Sequence, residues 1–245
     1  MRNARYAIFF VPPQNDALYR FGATALGYDS YTGEETASYS GDGIDVAEWQ
    51  KLTAEPRRYG FHATLKAPFR LRSDATEQEL IAALAPFAAA QTSPPRVTAS
   101  IALLDGFAAL IPAATAPELS RLAENCVREF DAFRAPLADA DRKRRLAQAL
   151  TARQIEHLDR WGYPYVFEDF RFHMTLTGRL PADRASRVLG FLNGTLGGAP
   201  VPDIAVESVA LLRQDAADAR FRVIADAQLG ALPDTASDDR IAAHG

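Results

Sequence analysis

Cysteine is nearly absent from this chain. Cys126 is the single one in 245 residues, so no internal disulfide framework can form, and a reducing compartment, the cytoplasm, is the expected setting. Long apolar runs are missing as well, and no stretch approaches the roughly 20 residues of a membrane-spanning helix. The apolar run at residues 7–11 stops at Pro12-Pro13. It lacks the length and small-residue cleavage site of a signal peptide and reads as a first strand. There is no excess of positive charge: the formal net charge is −4, which argues against a strong nucleic-acid surface but leaves room for a local basic cleft. No P-loop and no nucleotide-binding glycine fingerprint occurs. What is present is an ordinary globular composition, 48% hydrophobic and 24% charged, enough for one large domain or two small lobes.

Apolar periodicity predicts helices. Thr76-x-x-Glu79 has capping-box form ahead of Leu80, Ile81, Leu84 and Phe87, and Thr115-x-x-Glu118 repeats it ahead of Leu119, Leu122, Cys126 and Phe130. A charged helix is expected from Asp139 or Asp141 towards Trp161, carrying His157 and the solvated run Arg142 to Arg145. Pro181 opens another, with Val188 and Leu192 on its apolar stripe. Residues 97–103 and 107–111 flank Asp105-Gly106 as a hairpin, and residues 204–212 and 221–225 form a second antiparallel pair. Residues 28–45 read as a surface loop, the alternative being a substrate lid. This mixture, without a βαβ rhythm, predicts an α+β fold.

The informative feature is an internal repeat. Gly60-Phe61-His62-Ala63-Thr64-Leu65 and Arg171-Phe172-His173-Met174-Thr175-Leu176 share Phe, His, Thr and Leu in register, and they hold two of only four histidines. In a strand, alternate side chains point to opposite faces. His62 and Thr64 therefore share a polar face, with Phe61, Ala63 and Leu65 on the other; His173 and Thr175 repeat the pattern. Continued alternation places Lys66 beside the first pair and Arg171 beside the second. A polar face in a folded core needs partners or a cleft.

Two imidazoles, two or three hydroxyls (Thr177 follows Thr175 on that face) and one or two cations facing one cleft suit a phosphate diester. One neutral imidazole activates water and the opposite imidazolium protonates the leaving oxygen, both forms being accessible near neutrality. Thr64, Thr175, Lys66 and Arg171 are the expected phosphate contacts. A zinc site is the chemical rival, but each His-x-Thr brings a single ligand with no carboxylate in register, so no metal and no cofactor are expected.

The paired segments resemble the 2H phosphoesterase superfamily, which includes RNA 2′,3′-cyclic phosphodiesterases of the 2′-5′ RNA ligase-like type. More narrowly, Arg58-Tyr59-Gly60-Phe61-His62-Ala63-Thr64-Leu65-Lys66-Ala67-Pro68-Phe69 resembles a branch often associated with bacterial phosphonate-utilisation genes. The resemblance implies two pseudo-symmetric lobes of antiparallel sheet with flanking helices around a central cleft, over residues 1–230. A helical insertion at about 137–162 and a flexible tail at 231–245 complete the expected organisation. It also implies catalytic roles for His62 and His173 and phosphate contacts from Thr64 and Thr175. The expected function is a metal-independent cyclic phosphodiesterase acting on a small phosphorylated substrate or an RNA end, with no membrane partner. The alternative is a non-catalytic module that binds the same group. The sequence leaves the acid and base roles, the substrate and the oligomeric state open.

Overall fold

One antiparallel sheet organises the chain in the computed structural model, which describes residues 4–91, 93–197 and 201–230. The expected tail at 231–245 lies outside the described residues. The strands are β1 (Arg5–Phe10), β2 (Ala63–Phe69), β3 (Arg96–Leu104), β4 (Phe107–Pro112), β5 (Met174–Arg179), β6 (Val201–Ala205), β7 (Ser208–Gln214) and β8 (Arg222–Gln228). Their order is β6-β3-β4-β5-β2-β1-β7-β8, two four-stranded halves joined where β5 meets β2. The α+β, two-lobed architecture around a cleft is borne out.

The sheet is curled because the chain forces it to be. β6 sits at one edge and β7 next to the other, yet only Val206 and Glu207 lie between them. Three peptide steps span at most about 11 Å, so the two edges must approach each other at that end. The sequence reading of 204–212 as one strand is corrected here. Val206 donates its N–H to the Pro95 carbonyl (2.8 Å), and the strand splits between the two lobes. The Asp105-Gly106 hairpin forms as expected, both residues taking positive φ (49° and 90°) as a primed turn requires.

Each lobe is covered by helices from across the chain. On lobe one, α4 (Leu84–Ala89) packs on β7 and β8, and α5 (Pro117–Phe130) on β2. On lobe two, α2 (Val46–Arg57) packs on β5 and α8 (Ala182–Leu196) on β3, while α1 (Ala17–Leu26) also reaches β5. The helix expected from Thr76 is divided into α3 (Glu77–Ala82) and α4, because Pro86 cannot donate to the preceding turn. The charged segment likewise forms two helices, α6 (Asp139–Leu146) and α7 (Ala152–Trp161), since Thr151 and Gln154 build a fresh capping box. The Thr115 cap is not used: α5 starts at Pro117, a favoured first-turn residue. Sequence reading missed α1 and α2, whose signals were the N-caps Asp16 and Asp45. Residues 28–45 are no free lid; Tyr28 is buried and Tyr39 packs against Trp49 and Phe191.

Phe61, the residue before the first repeat histidine, is fully buried against α1. A Cβ on Gly22 would sit 2.0 Å from its ring, so Gly22→Ala should force the ring to move. Overpacking of this kind costs about 1–3 kcal/mol, and thermal denaturation should show a midpoint lowered by roughly 2–10 °C.

Candidate functional site

The two histidines meet because β2 and β5 pair. Ala63 and Met174, the residues that follow them, are antiparallel partners. Continuing that register sets His62 beside Thr175 and His173 beside Thr64. That register puts all four side chains on one face, with the two histidines as diagonal neighbours roughly 7–8 Å apart and their Cβ atoms somewhat closer. Both rings are partly buried, and His173 is near enough for its charge to act on His62.

The two rings are held alike. His62 Nδ1 lies 2.8 Å from the Gly60 carbonyl, and His173 Nδ1 lies 2.7 Å from the Arg171 carbonyl. A carbonyl only accepts, so Nδ1 carries the hydrogen and Nε2 is the basic atom of each neutral ring. The first copy is reinforced further: Gly60 takes φ 74° and leaves no room for a Cβ, which would lie 2.8 Å from the Ser30 side chain. Ser30 is itself tied by its N–H to the Tyr19 hydroxyl (3.0 Å).

Their surroundings differ. His62 stacks on Phe9 with ring centroids 3.8 Å apart, and its Nε2 is 3.2 Å from Thr64 Oγ1. Tyr59 stands 6.0 Å away and stacks on Phe221. Burial pushes the His62 pKa down to about 4, with the Gly60 bond opposing and the His173 charge adding to the fall. His173 has Phe107 at 5.8 Å, and its Nε2 makes no hydrogen bond among the described residues. Burial lowers its pKa too, but the Arg171 carbonyl and then Asp105 pull it back up. Phe9, Tyr59, Phe107 and Asp105 were missed in the sequence because each reaches the site from another strand or turn.

Lys66 is a correction. Alternation put it beside His62, but β-bulges interrupt β2. Phe9 pairs with Thr64, whereas its neighbour Ile8 pairs with Lys66, two residues on. The extra residue turns Lys66 to the opposite face. There it is 3% exposed, and its ammonium donates to the Val127 carbonyl (3.1 Å) and to Asp131 (3.0 Å) under α5. Arg171 stays exposed near the site, 3.8 Å from Asp105. His157, expected on the surface, packs against Phe167, with Nδ1 buried, unbonded, and 3.4 Å from Asp169.

A cleft of about 1020 Å³ opens beside lobe two, lined by Leu104, Ile111, Arg128, His157, Arg171 and Phe172 among others. Neither repeat histidine lines it, although Arg171 and Phe172, which precede His173, do, so the histidine pair and this cleft adjoin without coinciding. Among the described residues no group of three or more His, Cys, Asp or Glu is placed to hold a metal ion, and no helix is long and apolar enough to cross a membrane.

A family model described as "Protein of unknown function (DUF1045)" matches residues 64–222. The chain belongs to that family. The match begins within the first His-x-Thr and includes the second. This DUF1045 chain is also 40% identical over 176 residues to a Janthinobacterium sp. (strain Marseille) protein named ribose 1,5-bisphosphate phosphokinase PhnN, covering 72% of this chain and 39% of that protein. It is 35% identical over 219 residues to the protein of the same name from Laribacter hongkongensis (strain HLHK9), covering 89% and 50%. The chain thus spans half or less of the length of these curated relatives.

Two outcomes follow from the site geometry. In an NMR titration the His62 ring should stay neutral until about pH 4. The unfolded chain takes up that proton near pH 6.5, so His62 contributes stability that declines as pH falls between these values. Lys66→Met should lower stability by about 1–3 kcal/mol, through loss of the Asp131 contact, and leave phosphate affinity unchanged in equilibrium titration.

Proposed function

We propose that the chain is a metal-independent phosphoester hydrolase, most specifically a cyclic phosphodiesterase, with His62 as general base and His173 as general acid. The observation that carries this reading is the pair of Nδ1-anchored rings on adjacent strands, both offering Nε2 to one face. A phosphate between them is attacked by water. The water proton passes to His62 Nε2, the bond from phosphorus to the leaving ester oxygen breaks, and that oxygen takes its proton from His173. Thr64 and Thr175 donate to the nonbridging oxygens, and Arg171 stands at the rim to stabilise developing charge. The roles divide by environment. His62 is held neutral by burial against Phe9, whereas Asp105 favours a proton on His173, and a bound phosphate raises that affinity further.

The substrate class is a small phosphorylated metabolite. The relatives' name speaks of a phosphorylated ribose, which supports a phosphorylated sugar over an RNA end and agrees with a place in phosphonate metabolism. The phosphokinase activity in that name is not carried over, because this sequence has no P-loop pattern.

His62→Ala or His173→Ala should lower kcat for a cyclic phosphate by about 10²- to 10⁴-fold, with circular dichroism unchanged and chelator without effect. The kcat/KM profile should be bell-shaped, rising above about pH 4 as His62 deprotonates and falling below the ordinary histidine value near 6.5 as His173 loses its proton. Full activity in the His173→Ala protein would refute the assignment. Phosphate binding with no turnover of any cyclic phosphate would favour a binding module instead.

A further inference from the structure

The pseudo-two-fold of the sheet is broken in charge. Ala63 pairs with Phe10 as Met174 pairs with Leu110, so Phe10 and Leu110 are equivalent positions, and counting back five makes Arg5 the counterpart of Asp105. Lobe two thus carries an acid where lobe one carries a base.

Arg5 is not alone. Tyr6 pairs with Phe69, which sets Arg5 directly opposite Arg70 at the end of β1 and β2, an unfavourable placement of like charges. Arg70 reaches Asp141 of the inserted helix α6 (3.0 Å). One turn further along the same helix face, Arg145 lies over the Tyr163 ring at 5.1 Å. Tyr163 lines one small cavity with Ala67 and Pro68 of β2. Arg5 itself sits 5.6 Å over the Phe221 ring, which stacks on Tyr59, and Arg58 precedes Tyr59 in the chain. Among the described residues Arg5, Arg58 and Arg145 have no carboxylate partner, and Asp141 is already shared by Arg70 and Arg144. The crowding is felt: burial lowers the Arg5 pKa and the Tyr59 phenol opposes it, while the Arg70 and Arg58 charges lower it further against Asp141. Asp141 is the one carboxylate among these arginines, so cations outnumber their counter-charge here, an unfavourable excess that a bound anion relieves.

We infer that this end of the β1–β2 pair is a second anion site, in which Arg5 and Arg145, with Arg58 and Arg70, hold a non-reacting phosphoryl group of the substrate. From His62 the rings step through Tyr59 and Phe221 to Arg5 at 6.0, 5.3 and 5.6 Å. Arg5 is four strand residues, about 13 Å, from Phe9 under His62. That span fits a compact metabolite with one phosphate at the histidines and another at the arginines. The insertion then has a task, since α6 supplies Arg145 and the Asp141 that orients Arg70. The inference deepens the phosphoester reading and rests on it for the reacting group.

The test compares adenosine 2′,3′-cyclic phosphate with and without a 5′-phosphate. Wild-type kcat/KM should favour the 5′-phosphorylated form by about tenfold or more, as charge-assisted contacts to phosphate allow. Arg145→Gln, on an exposed helix, and Arg5→Gln should each collapse that preference. No wild-type preference, or equal losses on both substrates, overturns the site. If neither compound turns over, the hydrolase reading fails separately, and the anion site is judged by calorimetry with inorganic phosphate. In a His62→Ala/His173→Ala protein, phosphate binding that Arg145→Gln weakens supports it, and binding indifferent to Arg145→Gln overturns it.

Discussion

The pairing of β2 with β5 through Ala63 and Met174 is the contact on which the site depends. Each His-x-Thr alone is a short polar face at the start of a strand. Antiparallel pairing relates the two by a local two-fold, so the polar faces fall on the same side and each histidine neighbours the other copy's threonine. Sliding the register by one residue would reverse one face and separate the rings. The rest of the fold keeps that register. Phe61 and Phe172 are buried beneath it, and α2 and α5 cover β5 and β2 respectively.

That covering is exchanged between the lobes. Helix α2 leads into β2 but packs on β5, while α5 follows β4 but packs on β2. Each lobe takes one of its covering helices from the other, so the cleft between them is set by one shared core. The short link from β6 to β7 has a similar effect, drawing the two sheet edges together.

Symmetry stops at the backbone. The two imidazoles are anchored identically through Nδ1, yet one is stacked on Phe9 and the other stands by Phe107 and Asp105. An acid–base pair needs that inequality, because two equal rings close together would compete for one proton.

By itself the sequence determined the repeat, the hairpin at Asp105-Gly106, the α+β class and two polar pairs, His62 with Thr64 and His173 with Thr175. Those are local facts: strand alternation over three residues and turn chemistry over two. Only the tertiary structure decided where Lys66 goes, that residues 204–212 divide between two edges, and which aromatic and charged groups surround each ring. A bulge reverses side-chain parity without any sign in composition. A strand break by edge switching, and the meeting of Arg5 with Arg70 or of His62 with Phe9, depend on pairing between segments tens of residues apart. Alternation carries information only as far as the ladder stays regular, and past the first irregularity the partner strands choose the face.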